Sequence, residues 1–268
     1  MSKSQKIGHF ITIVRDGAVA TVTLDRGDGL NAMSLEVLQD LKRAAESFAD
    51  DLETQAVVMT GKGAFTAGAD LKDPALAERG QMGLLERRHV LKAGPDACDA
   101  WEKMEQITIA AVEGYCIGGG VALAAACDFR VAARSAYFRL PEIPLGMNMS
   151  WHTIPRLVAL IGPAQAKKFV LFGEKLAAQD AAAQGFADEI AADGEALAKA
   201  RDWAARVAKL PPNAVRMTKQ SVNAAANALH AATTFMDRDQ FLLAASSEDY
   251  REAIAAFLEK RPPRFTGR

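Results

Sequence analysis

Three consecutive glycines, Gly118-Gly119-Gly120, interrupt an apolar run over residues 107–127. The run is about as long as a membrane-spanning helix needs to be. Glu113 breaks it, however, and three adjacent glycines make a poor helix centre. A buried strand, a glycine turn and a buried helix account for it better. Such a turn lets a ligand approach the backbone closely and aims free N–H groups at it. A second small-residue turn, Phe65-Thr66-Ala67-Gly68-Ala69-Asp70, follows another apolar strand at 56–60. Two turns of this kind can bring two donors onto one oxygen, and the amides of Ala69 and Gly119 are the candidates. The dipole of the helix that Gly119 opens adds positive potential there. Such a hole suits a carbonyl that becomes an enolate or a tetrahedral oxyanion. Ala122 falls one helical turn beyond Gly119 on the same face. A carboxylate there would touch the substrate, and this chain has a methyl group.

Strand and helix patterns alternate around these turns, which predicts an α/β core. Segments 11–14 and 19–24 flank the hairpin signal Arg15-Asp16-Gly17. Residues 31–48 read as an amphipathic helix with Ser34 as N-cap. Further strands are expected at 107–112, 129–132 and 136–138. Beyond Gly162 the chain turns alanine-rich and helical, with helices expected at 163–171, 177–184, 195–210, 212–229, 233–245 and 247–260. That is too much helix for one sheet layer, so it folds back on the core or packs against another subunit. The charged stretch 73–98 reads either as a solvated helix or as a cover over a pocket.

The 268 residues carry a net charge of −1, which gives no footprint for nucleic-acid binding. The three cysteines, Cys98, Cys116 and Cys127, form no C-x-x-C pair and read as reduced thiols of a cytoplasmic protein. The N-terminal ten residues have no apolar core of the kind a secretory signal needs. No G-x-S-x-G elbow, H-E-x-x-H or phosphate-loop motif occurs. The four histidines lack metal-ligand spacing, so no metal or redox cofactor is expected.

Ala64-Phe65-Thr66-Ala67-Gly68-Ala69-Asp70-Leu71 closely resembles a signature of the enoyl-CoA hydratase/isomerase (crotonase) superfamily. The segment from Ala110 through Gly120 resembles its second signature, and Phe138-Arg139-Leu140-Pro141-Glu142-Ile143-Pro144-Leu145-Gly146 its third. Leu24-Asp25-Arg26 with Leu30-Asn31-Ala32-Met33 matches its first motif, and Phe257-Leu258-Glu259-Lys260-Arg261 its last. The resemblance implies a crotonase-like α/β core of repeated ββα units over 1–200 and a C-terminal helical region over 201–268. It implies coenzyme A thioesters as substrates, no separate cofactor, and homotrimers or dimers of trimers; the near-neutral charge and the broken apolar run, not the resemblance, lead us to expect no nucleic-acid or membrane partner. The thioester oxygen would sit between the Ala69 and Gly119 amides. Ala32, Ala67 and Leu71 would hold the adenine and pantetheine parts, with Phe257 and Lys260 closing over them. Arg26, Gly68, Asp70, Tyr115, Gly118, Pro141, Leu145 and Trp151 complete the implied substrate contacts.

Glu142 is the expected base. It follows Pro141 where a strand passes towards a helix, and the family places a catalytic glutamate there. Apolar Ile143 and Leu145 should raise its pKa towards neutrality. Typical hydratases of the family use a second glutamate where this chain has Ala122. Water addition needs one group to activate water and another to protonate carbon, whereas a double-bond isomerase can work with one carboxylate. The residues therefore favour an isomerase-like proton shuttle. Water addition with help from Glu86 or Glu113, thioester hydrolysis or dehalogenation, and a non-catalytic binding role are the alternatives. Two departures from the family stand out. Arg26-Gly27-Asp28-Gly29 lacks the lysine that usually follows, and Met147-Asn148-Met149-Ser150-Trp151-His152 replaces a glycine-rich turn. Trp151 and His152 would crowd the acyl pocket, unless Ser150 caps a helix and Trp151 is core packing.

Overall fold

In the computed structural model, which describes residues 3–77 and 81–268, the sheet begins as an antiparallel meander of β1 (Lys3–Ile7), β2 (Ile11–Asp16) and β3 (Val19–Leu24). Gly17 takes φ 58° in the tight turn before β3, the left-handed geometry such hairpins favour. From β3 onward the sheet is parallel. β4 (Ala56–Gly61), β5 (Ile107–Val112), β7 (Phe129–Ala133) and β10 (Glu189–Ala191) follow in spatial order. Every residue of β4 and β5 is buried, as expected of parallel strands covered on both faces. A second, three-stranded sheet joins β6 (Tyr115–Ile117), β8 (Tyr137–Arg139) and β9 (Leu176–Ala177).

Parallel pairing requires crossovers, and helices supply them. α1 (Leu35–Glu46) links β3 to β4. α2 (Pro74–Ala77), α3 (Leu84–Val90) and α4 (Ala93–Lys103) lie between β4 and β5. α5 (Gly119–Ala126) follows β6, and α6 (Thr153–Phe172) follows β8. A strand pair followed by a helix thus recurs as β2-β3-α1, β5-β6-α5 and β7-β8-α6, the ββα repetition expected of the core. α7 (Ala178–Ala183) precedes β10, and α8 (Ala196–Val207) packs across β4, β5 and β7.

The remaining helices are α9 (Pro212–Ala226), α10 (His230–Thr234), α11 (Asp237–Ala245) and α12 (Glu248–Glu259). They leave Met217, Val222, Leu229, Phe235, Leu243, Phe257 and Leu258 exposed. None of the described helices is long and apolar enough to cross a membrane.

Several boundaries differ from the sequence expectation for local reasons. The helix expected from residue 31 starts at Leu35, although Ser34 caps it as predicted. Asn31 is held outside it at φ 50°, where its side-chain amide donates to the Lys62 and Ala64 carbonyls. The helix expected at 163–171 is the second half of α6, bent at Gly162, whose φ/ψ of 74°/164° is not helical. Pro163 starts the new turn without needing a donor. The helix expected at 233–245 is two, α10 and α11. β1, β6, β9 and β10 escape detection because each is only two to five residues long, and β1 is polar up to its last residue, Ile7. All three cysteines are buried and free. Burial pushes the Cys98 and Cys127 thiols up to about 12, so neither is a nucleophile at neutral pH.

Candidate active site

The two small-residue turns meet. Thr66 and Cys116 form a parallel bridge, and the Ile117 amide donates to the Thr66 carbonyl at 3.1 Å. The Thr66 hydroxyl donates to the Asn31 carbonyl (2.6 Å) and accepts from the Gly68 amide (3.1 Å), which fixes the first turn. A Cβ on Gly68 would stand 2.5 Å from the Ile117 carbonyl oxygen and 3.5 Å from the Gly119 nitrogen. Only glycine allows that approach. Gly118 takes φ 54°, ψ −120° and turns the chain from β6 into α5, so Gly119 is the first helical residue. Its amide is one of the donors that a helix start leaves free. Among the described residues, neither the Ala69 nor the Gly119 amide has an acceptor.

Glu142 reaches this place from a turn between β8 and α6, the strand-to-helix passage the sequence suggested. Leu145 donates back to the Pro141 and Glu142 carbonyls, and Met147 donates to the Glu142 carbonyl at 2.8 Å. The Gly118 amide donates to the Arg139 carbonyl at 2.8 Å and ties the turn to the glycine loop. Glu142 Oε1 stands 2.7 Å from where a Cβ of Gly118 would be. Glu142 as a whole is half-buried, but Oε2 is shielded from solvent and has no partner among the described residues. Burial raises the carboxyl from an ordinary 4.5 to about 7, against smaller opposing pulls from its own backbone amide and Arg139. The expected rise towards neutrality is present, and among the described residues no second carboxylate contributes to it.

The other acids are engaged elsewhere. Glu113 accepts from the Gly194 and Ala196 amides at the start of α8. Glu86 accepts from the Gly83 amide at the start of α3. Asp70 pairs with Arg26 at 2.7 Å. Ala122 is fully buried within α5. Among the described residues, no group of three His, Cys, Asp or Glu side chains is placed to hold a metal.

Most of the expected substrate contacts gather beside the paired amides. Arg26 donates to the Ala32 carbonyl at 2.6 Å as well as to Asp70, stitching the 26–33 loop to the Ala69 turn. Ala67 donates to the Leu30 carbonyl, and the Tyr115 hydroxyl donates to the Gly29 carbonyl at 2.6 Å. Leu71 is exposed beside them. Gly118, Pro141 and Leu145 belong to the glycine loop and the Glu142 turn. Phe257 is exposed, and Lys260 closes α12 in a left-handed conformation at φ 55°. No hydrogen bond or ion pair among the described residues joins either to the amides. α12 touches the Glu142 turn at its opposite end, where Tyr250 packs on Gly146.

Trp151 is part-buried, packs against the edge of the core and borders Gly119. A Cβ on Gly119 would meet its ring at 2.2 Å, and one on Gly94 would meet it at 2.1 Å. Ser150 does not cap α6: its hydroxyl donates to Asp237 at 2.9 Å, and the helix starts at Thr153. Trp151 and His152 have φ of 63° and 56°. Each such non-glycine residue costs roughly 1–3 kcal/mol and persists only when its surroundings dictate it. Here Arg156 donates to both carbonyls (3.0 and 3.3 Å), and the His152 ring pairs with Asp99 at 2.9 Å. Arg156 is in turn held by Asp99 and Glu102. Sequence reading flagged Trp151 and His152 but missed Gly94, Asp99, Arg156 and Asp237. Arg156 follows Trp151 by little more than one helical turn, which is the only signal that could have pointed to it.

Residues 15–268 match the family described as enoyl-CoA hydratase/isomerase. A probable enoyl-CoA hydratase, echA8, of Mycobacterium bovis is 35% identical over 262 residues, spanning 96% of this chain and 98% of the relative. A short-chain-enoyl-CoA hydratase of Clostridium acetobutylicum is 30% identical over 253 residues, spanning 94% and 95%. The crystal structure of an enoyl-CoA hydratase from Mycobacterium avium subsp. paratuberculosis K-10 superposes with a TM-score of 0.84 at 25% identity, covering 96% of this chain and 99% of that one. The chain belongs to the enoyl-CoA hydratase/isomerase family.

Proposed function

We propose that this protein is an acyl-CoA enzyme that moves a double bond by shuttling one proton on Glu142. The observation that carries the reading is the Glu142 carboxyl, buried beside Gly118, raised to about 7 and, among the described residues, without a second acid acting on it. The thioester oxygen accepts from the Ala69 and Gly119 amides. Glu142 takes a proton from C2 of a 3-enoyl thioester, and the electron pair becomes an enolate whose charge rests on that oxygen. Losing one such donor typically costs roughly 3–4 kcal/mol of transition-state stabilisation. The enolate collapses to a C2–C3 double bond while the same carboxyl returns its proton to C4. No water is consumed and no other atom changes hands. A pKa near 7 suits a group that must act as both base and acid at neutral pH.

The CoA arm lies along Ala32, Ala67 and Leu71, with coenzyme A present only as part of the substrate. The exposed apolar side chains of α9–α12 support assembly as a homotrimer or dimer of trimers. In that assembly Phe257 and Lys260 cover the CoA of a neighbouring copy, and region 201–268 serves as the assembly and cover unit beside the 1–200 core. Buried reduced thiols favour the cytoplasm.

The names of the relatives favour a second reading, water addition to a 2-enoyl thioester. Steady-state assays separate the two. The proton-shuttle reading predicts that 3-hexenoyl-CoA is isomerised at least tenfold faster than crotonyl-CoA is hydrated. Faster hydration, abolished by Glu142→Gln, assigns the protein to water addition.

A further inference from the structure

The Trp151 side chain is seated between two glycines from different helices. The benzene edge of its indole (Cζ3, Cη2 and Cε3) presses on Gly119, the first residue of α5. The five-membered ring and ring fusion (Nε1, Cε2 and Cδ2) press on Gly94 near the start of α4. Any side chain at either position would overlap the ring. A glycine in a helix costs stability relative to alanine, so Gly94 has a structural reason: it makes room for Trp151. The ring is also fixed from behind. Its carbonyl accepts from Arg156, which is almost wholly buried, and its neighbour His152 is tied to Asp99 and, through its amide, to Asp237. Trp151 itself is only part-buried, and its indole N–H has no acceptor among the described residues.

Gly119 is the residue whose free amide faces the paired turn. A carbonyl bound there meets Glu142 through Gly118 and the Trp151 ring through Gly119. The CoA arm leaves along the Ala32–Ala67 side, so the acyl arm meets the indole. A rigid aromatic surface at that point leaves little depth for a chain. We propose that Trp151 is the wall that sets acyl length, and that it confines the protein to short straight-chain acyl-CoA thioesters. The inference rests on the acyl-CoA reading above, though not on which reaction follows.

The test measures binding, so it does not depend on the chemistry. Isothermal titration of the full chain with free CoA, butyryl-CoA and decanoyl-CoA gives the length profile. Wild type should bind butyryl-CoA at least tenfold tighter than decanoyl-CoA. Trp151→Gly removes the ring while glycine accepts the left-handed backbone at that position. It should tighten decanoyl-CoA at least tenfold and leave free CoA unchanged. Trp151→Phe, which keeps a smaller ring, should fall between the two and guards against a folding defect in the glycine variant. Equal wild-type affinity for the two chain lengths, or a profile unmoved in both variants, overturns the wall while leaving the acyl-CoA reading intact. Failure to bind any acyl-CoA overturns both.

Discussion

Glu142 Oε1 occupies the space that a side chain on Gly118 would fill, 2.7 Å from the missing Cβ. The glycine that turns the chain into α5 thus also seats the carboxylate next to the Gly119 amide. One residue type meets both demands: φ 54° at Gly118 disfavours other side chains, and the acid needs the room. The proposed base and one proposed oxyanion donor thus meet at adjacent residues of the glycine loop, Gly118 and Gly119.

The raised Glu142 pKa predicts a pH profile. The carboxylate must be free to take a proton, so kcat/KM should rise with pH and level off above about 7. Glu142→Gln should abolish that limb and lower kcat roughly a hundred- to ten-thousand-fold. Initial rates across the pH range, for both proteins, check it.

The same group predicts a stability difference. Its folded pKa lies above the ordinary 4.5, so the folded state binds the proton more tightly. The stabilisation is therefore complete below about 4.5 and is lost as pH rises through about 7. The loss amounts to at most about 3 kcal/mol, less where solvent screens the carboxyl. Glu142→Gln removes the titration. Its melting temperature relative to wild type should climb between about pH 5 and about pH 8, as thermal melts will show.

Much of this site was legible in the sequence because it is made of short, contiguous pieces. The glycine turn, the Phe65–Asp70 turn and Glu142 each sit at the end of an apolar strand, and parallel pairing brings strand ends together. The Ser34 cap and the Gly17 hairpin follow from local chemistry alone, whereas Glu142 was singled out with the help of the family resemblance. The setting of Trp151 and His152 was not legible, because Gly94 and Asp99 on α4 and Asp237 on α11 are distant in sequence and meet them only in the folded chain. The first half of α6, residues 153–161, was likewise not legible, although the break at Gly162 agrees with the helix expected to start at 163.

Ala122 gives a third prediction. A glutamate one turn past Gly119 would supply the second acid that water addition uses. Ala122→Glu should raise crotonyl-CoA hydration at least tenfold. It should also lower stability by about 1–3 kcal/mol, since position 122 is fully buried and a polar group there loses its water. Paired hydration assays and chemical denaturation read both effects.

The central claim is that one carboxyl both takes the proton and gives it back. A single turnover of 3-hexenoyl-CoA carrying deuterium at C2, with enzyme in excess in ordinary water, tests this directly. Oε2 is shielded from solvent, so the captured deuteron should outlast the enolate. The account predicts 2-hexenoyl-CoA with deuterium at C4 in a measurable share of molecules by mass spectrometry. Product whose C4 carries only solvent hydrogen would contradict it.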